Sequence, residues 1–278
     1  MSQINFTKMH GCGNDFVVIN ALNQELPSLS ELAISMCKRR FGVGADQLII
    51  IEKATKDEAI FRMEVLNADG SQVEMCGNAL RCIALYAVRE GIIASDIMTI
   101  ETPSGVSHVE IAGDAIRIEV GVPSTDPNDI GLNQPGPAID QPVIIRGACR
   151  KMTAISVGNP HAVTFLNDLE RFEFNHEGSQ YENHTLFKNR ANIEFIKVLN
   201  KNEVNMRVWE RGSGETLACG SGACAAAAAA IINKKCESPI TVHLKGGDLL
   251  IEWAGEGEPI YMTGPASFVF DSVWNIED

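Results

Sequence analysis

Apolar positions along the chain follow two rhythms. Runs of five to nine residues, alternating or continuously apolar, predict strands. In the first part these are INFTKM (4–9), NDFVVIN (14–20), QLIIIE (47–52), FRMEVLN (61–67), IMTIET (97–102) and AIRIEV (115–120). In the second they are PVIIRGA (142–148), MTAISV (152–157), HAVTFL (161–166), NIEFIKV (192–198), NEVNMRVWE (202–210), ITVHL (240–244), DLLIEW (248–253) and PIYMT (259–263). Gly246-Gly247 between two such runs signals a hairpin. Helical spacing is rarer. It predicts helices over Leu29–Arg40, capped by Ser28 or Ser30, over Asn78–Arg89, stopped near Gly91, and over Ser221–Asn233. Many strands with few helices indicate an α+β protein.

Five of the eleven prolines lie between Pro123 and Pro142, among Asp, Asn and Gly. This stretch reads as a linker or a wandering surface segment, and it nearly bisects the chain. The two sides repeat. FRMEVLNADGSQVEMCGNALRC (61–82) aligns with VNMRVWERGSGETLACGSGACA (204–225), placing Met63 on Met206, Val65 on Val208, Asn67 on Glu210, Cys76 on Cys219 and Gly77 on Gly220. GNDFVV (13–18) aligns with GNPHAV (158–163), pairing Asn14 with Asn159, and Gln47 pairs with Asn192 at the same offset. Polar positions match in place along with apolar ones, in the same order, so duplication explains the pattern better than the general likeness of strands.

Composition narrows the partners. At 278 residues and 45% hydrophobic, the chain can build one large core or two average ones. A formal charge of −13 argues against nucleic acid. No apolar run is long enough to cross a membrane, and the start lacks the layout of a signal peptide, so a cytoplasmic protein is expected. The eight cysteines are then expected to be reduced. Cys76/Cys82 and Cys219/Cys224 lack the spacing of zinc ligands, so no metal is expected.

One Cys-Gly per half, each at the start of a helix, suggests chemistry. Helix N-termini present unbonded N–H groups, at Gly77, Asn78, Gly220 and Ser221, which favour a carboxylate and a thiolate. Two thiols facing one another about a pseudo-twofold axis suit inversion at an amino-acid α-carbon. One base takes the proton from one face and an acid returns one to the other. Read from the residues alone, Asn14, Asn67, Asn159 and Asn192 serve equally well as turn formers or ligands. His161 alone is more often structural, and Glu210-Arg211 could be a surface pair.

The motifs HGCGNDF (10–16), GADQ (44–47), NADGS (67–71), CGNALRC (76–82), GNPH (158–161), ERGSGET (210–216) and ACGSGACAA (218–226) resemble the diaminopimelate epimerase family, in its order and over essentially the whole chain. The resemblance implies two pseudo-symmetric domains, each a β-barrel-like sheet around a central helix. They would span 1–120, with 266–278 returning to that domain, and 121–265. It also implies an epimerase that needs no pyridoxal phosphate or other cofactor. Its substrates would be LL- and meso-2,6-diaminopimelate, intermediates of lysine and peptidoglycan synthesis, and it would act as a homodimer. By matched position Cys76 and Cys219 exchange the proton. Gly77-Asn78 and Gly220-Ser221 hold the carboxylate, and Asn14, Gln47, Asn67, Asn159, Asn192, Glu210 and Arg211 line the substrate site. His161 and Glu210 adjust the cysteines. This chain departs from the family pattern at Cys12, at Ala79 where glycine is expected, at Ala191, and at Phe270 where a tyrosine linked to dimer contacts is common.

Other classes remain open at this level. A proline-type racemase would share the cysteines but have less use for Glu210-Arg211 and Asn192. A nucleotide enzyme lacks its glycine-rich fingerprints here. A non-catalytic binding protein would tolerate loss of one cysteine. A pyridoxal enzyme is not excluded by composition.

Overall fold

A computed structural model describes residues 3–73 and 76–276. The extreme ends of the expected N-terminal domain, 1–2 and 277–278, lie outside the described residues. The chain forms two compact units, Met1–Ile118 with Gly264–Asp278, and Glu119–Thr263.

The first unit begins with β1 (Gln3–Gly11) and β2 (Asn14–Asn20), an antiparallel hairpin with Gly11 opposite Asn14. Its two turn residues, Cys12 (φ 54°) and Gly13 (φ 82°), both adopt the left-handed region that such a tight turn requires. Helix α1 (Leu29–Met36) leads to β3 (Gln47–Glu52), parallel to β2 with Phe16 opposite Gln47. Antiparallel β4 (Phe61–Asn67) puts Asn67 opposite Gln47, and β5 (Gln72–Val73) folds back on β4. Helix α2 (Gly77–Arg89) follows. Then β6 (Ile97–Thr102) runs parallel to β4, and β7 (Gly105–Ala112) and β8 (Ala115–Gly121) are added as hairpins. The apolar run of β2 is explained by burial on both faces. Phe16, Val17, Val18 and Ile19 are all fully buried, with Val17 and Ile19 in the cluster that α1 covers through Leu32, Ala33 and Met36.

The second unit contains α3 (Pro127–Ile130), β9 (Gln141–Ile145) and β10 (Ala148–Ser156). Next come β11 (Pro160–Phe165), α4 (Phe174–Glu182), β12 (Asn192–Asn200) and β13 (Glu203–Glu210). It is completed by β14 (Gly214–Thr216), α5 (Gly220–Ile232), β15 (Ile240–Leu244), β16 (Gly247–Trp253) and β17 (Ile260–Gly264). Its pairing repeats that of the first unit strand for strand. β10 is antiparallel to β11, β11 is parallel to β12, and β12 is antiparallel to β13. On its edge away from β12, β13 takes β14 at its C-terminal end and parallel β15 at its N-terminal end, and β16 and β17 are added as hairpins. His161 stands opposite Asn192, as Phe16 stands opposite Gln47. The last strand, β18 (Ser267–Asn275), pairs antiparallel with β1 in the first unit.

Three sequence expectations are corrected. The helix expected over Leu29–Arg40 ends at Met36, because the chain turns back through Gly44 N–H to Met36 O and Ala45 N–H to Cys37 O. Gly42 makes that turn possible, since a Cβ there would lie 2.3 Å from Ser35 O. PVIIRGA is a strand end plus a hairpin turn, with Arg146 (φ 52°) and Gly147 (φ 77°) both left-handed. The proline-rich stretch is no loose linker. It carries α3 and plants Ile130, Leu132 and Ala138 in the second unit's core.

The alanines of α5 are explained by room. Ala223 and Ala225 to Ala230 are fully buried, and the helix packs against β10, β11, β12, β13, β15 and β16. Each alanine contributes about 0.8 kcal/mol by burial, well under a leucine's share of roughly 1.5–3 kcal/mol. Close approach of strands on every side, rather than area per residue, selects the small side chain.

Candidate active site

Cys76 and Cys219 hold the same station. Each is the extended residue before a helix, with φ/ψ of −143°/106° and −133°/113°. The first intrahelical bonds run from Leu80 N to Cys76 O (3.0 Å) and from Ala223 N to Cys219 O (2.9 Å). The N–H groups of Gly77, Asn78, Gly220 and Ser221 therefore precede their helical ladders and form positive helix ends.

Within the first unit, Asn14 is the hub. The Cys76 thiol and the Asn78 carboxamide approach Asn14 Oδ1 at 3.9 and 3.2 Å, and Asn14 Nδ2 donates to Asp46 at 3.1 Å. Gln47 Nε2 donates to Asn67 Oδ1 at 3.0 Å, and Asn67 Nδ2 donates to Ser71 Oγ at 3.0 Å. Gln47 Oε1 is buried without a hydrogen-bond partner, an acceptor left over for a ligand. An ion cluster braces this array from behind. Arg39 donates to Asp15 and Asp46, Lys8 donates to Asp15 and to Gly44 O, and Asp15 Oδ1 accepts from Asp46 N. Burial pushes the Asp15 carboxyl up, but the hydrogen bonds from Arg39 and Lys8 outweigh it and hold it well below the usual carboxylate range.

Arg81, which pattern reading passed over, lies in the buried middle of α2. Its guanidinium donates to Asn78 Oδ1 at 2.8 Å and to Pro265 O at 3.1 Å, and comes within 3.7 Å of Cys12 Sγ. It fixes the Asn78 oxygen inward, so that the Asn78 amide is turned to Asn14. The signal was available in sequence: an arginine inside an apolar helical run, one turn past Asn78. Cys12 is buried as packing and as a turn residue.

The second unit surrounds Cys219 differently. Gly222 N–H donates to Cys219 Sγ at 3.4 Å, and Ser221 Oγ is 3.6 Å away. Burial, then the charges of Glu210 and Glu194, push the thiol well above its ordinary value of 9.0. His161 is fully buried, with Nδ1 2.7 Å from Glu194 Oε1 and Nε2 2.9 Å from Asn159 Oδ1. Asn192 Oδ1 accepts from Arg211 N at 2.9 Å, and its Nδ2 donates to Pro160 O at 3.2 Å. Glu182 ties down the same turn, accepting from Trp209 Nε1, Gly212 N and Arg190. The Arg211 side chain is exposed and reaches Asn189 O at 3.4 Å. Glu210 accepts from Thr216.

Asn14, Gln47, Asn67, Cys76, Gly77 and Asn78 thus gather in the first unit. Asn159, His161, Asn192, Glu210, Arg211, Cys219, Gly220 and Ser221 gather in the second. Sequence reasoning missed Arg81, Glu182 and Glu194. Among the described residues, no group of His, Cys, Asp or Glu is placed to hold a metal. No described helix is long and apolar enough to cross a membrane.

The fold is shared with a group of solved structures. It matches a hydroxyproline epimerase from Agrobacterium vitis (TM-score 0.73, 12% identity, 99% of this chain and 93% of that one) and a phenazine biosynthesis PhzF-family protein from Bacillus anthracis (TM-score 0.68, 17% identity, 99% and 100%). Sequence is more selective. The profile of the family described as Diaminopimelate epimerase matches residues 6–125 and 153–269. Diaminopimelate epimerases from Desulfitobacterium hafniense (45% identical, 96% of each chain) and Agathobacter rectalis (42%, 95% of this chain and 97% of the relative) align end to end. The chain belongs to the diaminopimelate epimerase family.

Proposed function

We propose that this protein interconverts LL- and meso-2,6-diaminopimelate in the cytoplasm, serving lysine and peptidoglycan precursor synthesis, without pyridoxal phosphate or metal. The observation that carries the reading is the matched pair of cysteines, each extended before a buried helix. In this reading the two cysteines divide the work of inverting the substrate α-carbon. One thiolate takes the α-proton, the carbon becomes planar and carbanion-like, and the other thiol gives its proton to the opposite face. One thiolate is consumed and one is formed, so the enzyme ends each turnover with the two roles exchanged.

Gly77, Asn78, Gly220 and Ser221 N–H groups hold the carboxylate of the reacting centre and stabilise charge that grows there. Asn14, Gln47, Asn67, Asn159 and Asn192 read the ammonium and carboxylate groups, Glu210 takes an ammonium, and Arg211 takes the distal carboxylate. Burial and two carboxylates favour the thiol form of Cys219. The protein acts as a homodimer.

The test is α-proton exchange of LL-diaminopimelate in D₂O without added cofactor. Deuterium at the inverted centre with formation of the meso isomer is the expected result. No exchange, or exchange only with added pyridoxal phosphate, overturns the reading.

A further inference from the structure

The two halves agree in backbone and disagree at one buried pair. Two residues beyond the matched partners Gln47 and Asn192, β3 carries Ile49 and β12 carries Glu194, both fully buried. Opposite Gln47 and Asn192 stand Phe16 and His161, likewise fully buried. An apolar pair in one unit is therefore a carboxyl–imidazole pair in the other, at a cost in desolvation that packing alone gives no reason to bear.

The geometry shows what the pair controls. His161 Nε2 faces the Asn159 carboxamide oxygen at 2.9 Å, a contact that the Nε2–H tautomer satisfies by donating. Nδ1 faces Glu194 Oε1 at 2.7 Å, where ring and carboxyl hold a proton between them. The other carboxyl oxygen, Oε2, is buried without a hydrogen-bond partner, so all of Glu194's hydrogen bonding is directed to His161. A bare imidazole could adopt either tautomer, and the other one would turn Asn159 around to present its oxygen outward. The fold makes way for the carboxyl at Gly222, where a Cβ would lie 2.7 Å from Glu194 Oε1 and 3.2 Å from Cys219 Sγ. The titratable groups about the pair are His161 on β11, Cys219 at the mouth of α5, and Glu210 at the end of β13, whose charge with that of Glu194 acts on Cys219.

We propose that Glu194 is a positioning residue: through His161 it locks the Asn159 carboxamide with its oxygen inward and its NH₂ outward, making Asn159 a fixed donor to an anionic group of the substrate. The inference rests on the reading above only in taking Asn159 as a substrate contact. Its consequence is a recognition element that is donor-only, suited to carboxylate and unsuited to ammonium.

The experiment combines kinetics with ¹⁵N spectroscopy of histidine-labelled protein, His161 being assigned with His161→Gln. In the wild type, the ¹⁵N shifts report His161 with its proton on Nε2. Glu194→Ile, which copies the other unit, leaves the ring free to take either tautomer and raises KM for diaminopimelate about tenfold or more. Glu194→Gln, whose amide can donate to Nδ1 and keep the tautomer, restores KM to within about threefold of wild type. An unprotonated Nε2 in the wild type, an unchanged KM in Glu194→Ile, or equal impairment of both variants overturns the proposal. Should the wild type not epimerise diaminopimelate, the earlier reading fails. The histidine signals, which need no substrate, still decide the tautomer lock.

Discussion

α2 and α5 begin alike and live differently. Both are thirteen residues long and start after an extended cysteine. α2 carries Leu80, Ile83 and Tyr86 on its buried side and admits one charge, Arg81, beside Asn78. α5 carries almost nothing but methyl groups, and the charge near its mouth comes from strands, as Glu194 and His161. Duplication kept the strand pairing and the cysteine stations. It did not keep the charges around them: Arg81 braces Asn78 two residues past the first cysteine, whereas carboxylates act on the second. Two thiols asked to play opposite roles at the start of a reaction need unequal surroundings, and a symmetric backbone supplies them only through substitution at matched positions.

The largest expected effect tests what the halves share. Cys76→Ser and Cys219→Ser should each reduce epimerisation by at least about 10³-fold, as removal of an essential acid or base does. A variant retaining a tenth of wild-type activity would show that one half suffices. The next effect tests where they part. Gly222 and Ala79 occupy matched positions, but only Gly222 faces a carboxyl. Gly222→Ala should destabilise by about 1–3 kcal/mol by overpacking. Ala79→Gly should cost about 1 kcal/mol through helix propensity alone. Urea unfolding of both measures the contrast, and equal losses would remove the distinction.

A smaller effect concerns the thiols themselves. Alkylation of Cys219 by iodoacetamide, followed by peptide mass spectrometry, should rise only well above pH 9.0, and Glu210→Gln should bring that onset down. An onset near neutral pH would mean that the carboxylates do not govern it. The smallest concerns the braces. Asp15→Asn should lower Tm at pH 7 by roughly 2–5 °C. A folded-state value depressed by Arg39 and Lys8 means that stability is present above the unfolded carboxylate value near 4 and is lost as pH falls below it. The gap between variant and wild type should therefore close in strong acid. A gap independent of pH would assign Asp15's contribution to packing.

Strands and the repeat were legible because period and order are local or recurring properties. NDFVVIN, QLIIIE, FRMEVLN, IMTIET and ITVHL match observed strands end to end. GVSHVEIA was overlooked because its apolar content is modest, with Ser107 at a buried position of the alternation, and β5 and β14 because two or three residues carry no period. α4, FNHEGSQYE, lacks an apolar stripe and is held by Phe174 and Tyr181. The candidate residues in repeated motifs announced themselves. Glu194 did not, because a lone carboxyl in NIEFIKV looks like the solvent face of a strand until its neighbours in space are known. Arg81 was masked in the same way by the apolar residues around it.

The alanine run also sets how the protein can change. From Ala223 to Ala230 of α5, size is the forbidden variable, since no side chain there reaches water and, Cys224 apart, each has only a methyl to give up. In a saturation scan, Ala223 to Ala230 should tolerate glycine and serine before valine, whereas α2 should tolerate exchange among its large apolar residues. A lineage can therefore retune α2 by drift, one neutral swap at a time. α5 offers few such steps, and its sequence works as a fossil of the spacing between the strands around it.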